Sequence, residues 1–284
     1  MADIIMNGAA AAAGISERLK ARCDKLLDSG VRPCLAILRV GARPDDLSYE
    51  RAAMKRCAAI GVEVKNVVLP ERVTEEAILA AVHRLNIDEA VHGVLMFRPL
   101  PRHLDERLIC EALAPEKDMD GVSAASMAAV YSGSGTGYAP CTAQAVIELL
   151  KFYDIPIAGR RAVVAGRSLV IGRPVSMLLL RQDATVTLCH SRTADMPSVI
   201  READIVVAAM GRLRAIGGEL LRPGQAVVDV GVNMDQATGK LAGDVDYAAA
   251  ERIVSAISPV PGGVGSVTAC VLAGHVIEAA EKKQ

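Results

Sequence analysis

The amino-acid sequence predicts an α/β protein of two α/β lobes with a cleft between them, the second lobe a Rossmann-like dinucleotide-binding fold. Three observations carry that expectation. At 284 residues the chain is longer than one hydrophobic core usually organises. Short apolar runs alternate with stretches of helical periodicity, the pattern of parallel strands covered by helices. The alternation comes in two series, parted by a glycine-rich passage at 121–140.

The elements follow in order. Residues 15–29 have helical spacing and stop at Gly30. Residues 33–40 are a buried strand closed by Gly41 and Pro44, and 47–60 a helix ended by Gly61. A strand at 62–69, a helix at 74–85 and a strand at 93–97 complete the first series, which Arg98-Pro99-Leu100-Pro101 stops. Residues 121–140 read as a loop-rich approach to a domain boundary, and 142–153 as a helix. The second series is a strand at 161–165, a helix at 174–182, a strand at 185–189, a helix at 196–203, and strands at 205–208 and 226–230. The last helix, 266–283, takes Ser266 as its N-cap, after the turn Pro261-Gly262-Gly263-Val264-Gly265. Residues 1–140 with 266–284 are expected to form the first lobe and 141–265 the second.

Composition excludes several function classes. The chain is 51% hydrophobic and 23% charged, with Lys+Arg 32 against Asp+Glu 33 and a net charge of −1, which disfavours a polyanion binder. Five Tyr, two Phe and no Trp leave little with which to stack successive bases, so no nucleic-acid partner is expected. The seven cysteines form no CxxC pair, and the five histidines show no HExxH spacing. Neither a disulfide framework nor a metal site is expected. The amino terminus lacks the basic region of a signal peptide, and no apolar run reaches the roughly 18 residues of a membrane span. The expected location is the cytoplasm, with no membrane partner.

The strand at 161–165 opens into Gly166-Arg167-Ser168-x-x-x-Gly172-Arg173-Pro174, a strand–turn–helix context suited to a dinucleotide phosphate. The spacing departs from G-x-G-x-x-G, and taken alone the loop also fits an ordinary βα turn. The following strand ends in His190-Ser191-Arg192-Thr193. NAD sites place a carboxylate there, on the ribose 2′-hydroxyl; here a hydroxyl and a guanidinium stand instead, with Arg167 in the loop. Arginine suits bidentate phosphate recognition, so NADP is expected over NAD.

Further motifs occur in one order: Lys117-Asp118-Met119-Asp120-Gly121, Pro140-Cys141-Thr142, the Gly166 loop, Cys189-His190-Ser191, Gly243-Asp244-Val245 and Pro259-Val260-Pro261-Gly262-Gly263-Val264-Gly265. Together they resemble the methylenetetrahydrofolate dehydrogenase/cyclohydrolase family over essentially the whole chain. The resemblance implies a homodimer of two-lobed subunits, a tetrahydrofolate derivative as substrate and a nicotinamide cofactor on the second lobe. It implies that Tyr49 packs against the folate rings, that Asp120 hydrogen-bonds the pterin, and that Pro261, Gly262 and Gly263 line the folate site. It puts Gly166, Arg167, Ser168, Ser191 and Val232 at cofactor positions; the loop and strand-end readings above add Gly172, Arg173, Pro174 and Arg192, with Arg167, Arg173 and Arg192 expected around the cofactor phosphate.

Two departures stand out. The family pattern is Tyr-x-x-x-Lys, which sets an amine beside the tyrosine on one helix face. Here the residue four after Tyr49 is Ala53. Lys55, six residues on, is rotated about 600° and points elsewhere; Arg56 returns to the face about 10 Å further along. The family glutamine that partners the lysine is Phe97 here. Hydride transfer to a nicotinamide needs chiefly orientation. Hydrolysis of the methenyl product moves protons and needs an acid–base group. The sequence therefore predicts an NADP-dependent dehydrogenase with weak or absent cyclohydrolase activity. A bifunctional enzyme using a substitute group and a non-catalytic folate- or NADP-binding paralogue are the alternatives.

Overall fold

The computed structural model describes residues 1–283. The chain forms two compact units: Met1–Ala13 with Thr142–Thr268, and Gly14–Cys141 with the segment from Ala269 onward. In chain order the elements are β1 (Ile4–Ile5), α1 (Gly8–Asp28), β2 (Cys34–Val40), α2 (Pro44–Ile60), β3 (Glu63–Leu69), α3 (Glu75–Ile87), β4 (Gly93–Met96), α4 (Glu106–Glu111) and α5 (Ala124–Ser132). There follow α6 (Cys141–Phe152), β5 (Arg161–Ala165), α7 (Gly172–Leu180), β6 (Thr185–Cys189), α8 (Met196–Glu202), β7 (Ile205–Ala208), β8 (Ala226–Asp229), β9 (Asn233–Asp235), β10 (Lys240–Ala242), α9 (Tyr247–Ala250), β11 (Ala256–Ile257) and α10 (Thr268–Glu281).

The unit that begins at Gly14 holds a parallel three-stranded sheet in the order β3-β2-β4. β2 is central and buried at every position, which is why its sequence is apolar on both faces rather than alternating, except at Arg39, whose charge is paired with Glu50 at 2.6 Å. Edge strand β3 tolerates Glu63, Lys65 and Asn66 because its outer side is not covered by a fourth strand. α2 starts with Pro44, Asp45 and Asp46 and ends where Gly61 turns left-handed at φ 102°. α3 starts at Thr74, whose hydroxyl accepts from the Ala77 amide. Leu38, Ile78, Val82, Met96 and Ile109 fill the core between sheet and helices.

Buried polar groups shape the same unit. Lys117 donates to the carbonyls of Leu85 and Asp88 at the end of α3. Asp118, 1% exposed, accepts from the Val122 and Ser123 amides and the Ser123 and Ser126 hydroxyls at 2.7–3.0 Å. Replacing Asp118 by Ala orphans these donors and is expected to cost about 3 kcal/mol, read as a lower urea midpoint.

The other unit carries a six-stranded, wholly parallel sheet in the order β1-β11-β8-β7-β5-β6. The chain leaves β5 toward β6 on one side, then crosses back to β7 on the other. That reversal opens a crevice at the carboxyl ends of β5 and β7, the place where such sheets bind ligands.

The structure corrects or adds to the expected elements at four points. Residues 1–13 join the six-stranded unit, because β1 pairs in register with β11 and the Met6 amide donates to the Ile257 carbonyl. The passage 121–140 is not all loop: α5 lies in it, with the Ser123 side chain capping at the Ser126 amide. Ser266 is not an N-cap; it ends a 3₁₀ turn, Val264–Ser266, and α10 begins at Thr268. Strands β1, β9, β10 and β11, two or three residues each, are too short to show periodicity.

Candidate active site

α2 carries Tyr49 half-buried and, one turn on, Ala53 with no exposed surface. The chain leaving β4 places Phe97 against Tyr49: the two rings meet edge-on, centroids 5.7 Å apart and planes at 85°. This is a favourable aromatic geometry. Tyr49, Ala53 and Phe97 thus form one apolar corner at the carboxyl end of the three-stranded sheet. Lys55 is exposed, as its rotation requires. Arg56 is committed elsewhere, its Nη1 donating to the Ser16 hydroxyl at 2.9 Å.

Asp120 comes to the same end of the sheet. Asp118 bridges Val94 of β4 in parallel, so the chain from Asp118 to Asp120 runs alongside β4 toward Phe97. The Asp120 carboxylate accepts from the Cys141 amide at 2.8 Å. Burial raises its pKa; the Cys141 hydrogen bonds and the Arg98 charge pull the other way. The preceding carbonyl, that of Met119, accepts from the Cys141 thiol at 3.2 Å and from His275 Nδ1 at 2.9 Å. These two residues fix the backbone that presents Asp120. The Pro140-Cys141-Thr142 motif was the sequence signal for Cys141; His275, in α10, had none.

The remaining substrate candidates, Pro261, Gly262 and Gly263, belong to the six-stranded unit. Pro261 and Gly262 are exposed, and the Gly262 carbonyl accepts from the Gly8 amide at 2.7 Å, tying the turn to the start of α1.

The cofactor candidates gather after β5 and β6. Gly166 has φ 133°, and a Cβ there would lie 1.9 Å from the Ala209 carbonyl oxygen. A Cβ on Gly172 would lie 2.0 Å from the Gly166 oxygen. Only glycine permits this close turn into α7. The Ser168 hydroxyl accepts from the Ile171 amide at 3.1 Å, and Pro174 is buried in the first turn of α7. Arg167 and Arg173 are exposed beside each other, Arg173 Nε donating to the Arg167 carbonyl. Ser191 and Arg192 are exposed past the end of β6, and Val232, 63% exposed, follows β8. A tight glycine turn, a nine-residue helix starting at it and three exposed guanidiniums fit a phosphorylated dinucleotide. Among the described residues, no group of three or more His, Cys, Asp or Glu side chains is placed to hold a metal ion, and no helix is long and apolar enough to cross a membrane.

Comparison with known proteins agrees over the whole length. The family model for the tetrahydrofolate dehydrogenase/cyclohydrolase catalytic domain matches residues 6–120, and that for the family's NAD(P)-binding domain matches 140–284. The bifunctional protein FolD of Carboxydothermus hydrogenoformans is 48% identical over 277 residues, 97% of this chain and 96% of that one. The crystal structure of the bifunctional FolD methylenetetrahydrofolate dehydrogenase/cyclohydrolase from Campylobacter jejuni superimposes with a TM-score of 0.94 at 36% identity, covering 99% of both chains. The Trypanosoma brucei methylenetetrahydrofolate dehydrogenase-cyclohydrolase, solved with NADP cofactor and an inhibitor, gives 0.92 at 36% identity, covering 100% of this chain and 99% of that one. The chain belongs to the tetrahydrofolate dehydrogenase/cyclohydrolase family.

Proposed function

We propose that this protein oxidises 5,10-methylenetetrahydrofolate to 5,10-methenyltetrahydrofolate with NADP and hydrolyses that product slowly or not at all. The observation that carries the reading is the apolar corner: Ala53 fully buried one turn from Tyr49, and Phe97 edge-on to the Tyr49 ring. The family resemblance puts a lysine and a glutamine at these two positions. NADP, when bound, accepts the hydride from the methylene carbon. Tyr49 gives the folate a flat wall, and Asp120 gives it a hydrogen-bonding carboxyl. The folate nitrogen stabilises the cation left behind, so the dehydrogenase step needs no protein proton donor. Hydrolysis does need one, and neither Ala53 nor Phe97 offers an acid or a base. Arg167, Arg173 and Arg192 supply the positive charge that favours NADP over NAD.

The relatives' names favour a second reading, a bifunctional enzyme whose proton-moving group lies elsewhere. Arg56 is a poor substitute, being held by Ser16. One pair of assays decides. With purified protein, methenyltetrahydrofolate absorbance is expected to decay at the buffer rate. NADPH formation from methylenetetrahydrofolate is expected to exceed NADH formation by about tenfold or more in kcat/KM, the scale of one charge-assisted phosphate contact. Fast decay would establish the bifunctional reading, and the absence of NADPH formation the non-catalytic one. We further propose a cytoplasmic homodimer, as the resemblance implies; light scattering after size exclusion measures the mass.

A further inference from the structure

The Gly243-Asp244-Val245 motif has no part in the chemistry above, yet it builds an unusual feature. Asp244 has no exposed surface, and its carboxylate takes four amide donors. Oδ2 accepts from the Met210 and Gly211 backbone amides, and Oδ1 from the Arg212 amide at 2.8 Å and from Asn233 Nδ2 at 2.9 Å. None of the four donors is a cation.

A second buried carboxylate holds the first. Asp229, at the end of β8, accepts from the amides of Gly231, Asp244 and Val245 at 2.8–3.1 Å. Both glycines of the arrangement make room for carboxylates: a Cβ on Gly231 would strike Asp244, and one on Gly243 would strike Asp229.

The segment that Asp244 grips, residues 210–212, leaves the carboxyl end of β7 at the reversal point of the sheet. It begins next to Ala209, whose amide donates to the Ala165 carbonyl and whose own carbonyl occupies the space a Cβ on Gly166 would need. Asn233, the fourth donor, follows Val232 in the segment after β8. One buried anion thus ties together two of the segments that rim the crevice, and the first abuts the glycine turn. Burying a carboxylate without a cation is costly in itself. Its four amide partners give the rim a fixed shape in return.

We infer that Asp244 is a positioning residue for the nicotinamide cofactor: it holds the segment after β7 in the shape the dinucleotide site requires. The inference rests on the NADP reading above.

The test uses the full-length protein and two variants, Asp244→Asn and Asn233→Ala. Asp244→Asn turns one acceptor into a donor that faces backbone amides. Asn233→Ala removes a single donor at a half-buried position and perturbs the fold least. NADPH fluorescence titration gives Kd, hydrogen exchange of the nucleotide-free protein reports the amides of 210–212, and steady-state kinetics separate KM for NADP from kcat. Asp244→Asn is expected to raise NADPH Kd and KM for NADP about tenfold, the scale of one hydrogen bond to a charged group, with kcat changed little. Amide exchange at 210–212 is expected to quicken by about the same factor. Asn233→Ala is expected to move both in the same direction by about threefold. Faster exchange at 210–212 with an unchanged NADPH Kd would show a purely structural role and overturn the inference. So would unchanged exchange and Kd in whichever variant folds. A wild-type protein that binds NADH and not NADPH would overturn the NADP reading instead, and the same comparison of variants would then be made with NADH.

Discussion

The double substitution Ala53→Lys with Phe97→Gln is expected to raise methenyltetrahydrofolate hydrolysis by about 10²–10⁴-fold over the wild-type protein, the usual worth of a positioned acid–base group. The geometry explains why both changes are needed. Position 53 has no exposed surface and lies one helical turn from Tyr49, against whose ring Phe97 is packed. A lysine placed there alone would bury an ammonium without the amide oxygen that a glutamine at 97 would offer, and burial would favour its neutral form. Glutamine at 97 removes the ring and supplies an amide oxygen to hold the amine. Ala53→Lys alone is therefore expected to gain little and to lose stability, and Phe97→Gln alone to gain nothing. The cycle of two single variants and the double variant should show strong coupling, as expected for residues sharing one partner. A double variant that keeps dehydrogenase activity but hydrolyses at the buffer rate would sink the assignment of the missing group to this corner.

Cofactor binding is expected to weaken when the glycine turn is filled. Gly166→Ala sets a methyl 1.9 Å from the Ala209 carbonyl oxygen, at a φ of 133° that side chains rarely adopt. Gly172→Ala sets one 2.0 Å from the Gly166 carbonyl oxygen. In both cases the obstacle is backbone, which cannot swing aside as a side-chain tip can. A strained position of this kind costs about 1–3 kcal/mol, so relief by displacing the loop should weaken NADPH by about ten- to a hundredfold. NADPH fluorescence titration measures it. Unchanged binding in both variants would mean that the nucleotide does not use this turn.

Much of this was legible in residue order. β2 announced itself as a buried strand by its largely apolar run, and α2 by helical spacing that ends at Gly61, although Pro44, expected in the loop before it, starts the helix. The glycine turn was visible because a strand, two spaced glycines and a proline-bearing helix start are local features. The lack of an amine one turn after Tyr49 was visible because Tyr49 and Ala53 lie on one helix, where a spacing of four fixes a shared face. Other parts were illegible for equally physical reasons. Strands as short as Ile4–Ile5 and Ala256–Ile257 carry no period, so the transfer of residues 1–13 to the six-stranded unit could not be read from them. The two aspartates of Lys117-Asp118-Met119-Asp120 look alike in sequence. One turned out to tie down α5, and the other accepts from the Cys141 amide.

The sequence by itself determined the α/β class, the glycine turn after β5 and the absence of a basic group one turn after Tyr49. Each of these depends on residues that are neighbours along the chain or around one helix. Only the tertiary structure decided that Phe97, 48 positions from Tyr49, closes that corner with its ring, and that Asp244 gathers donors from 210–212 and 233. Those contacts depend on how strands pair and where the chain returns, and periodicity reports which face of an element is apolar without naming what will cover it.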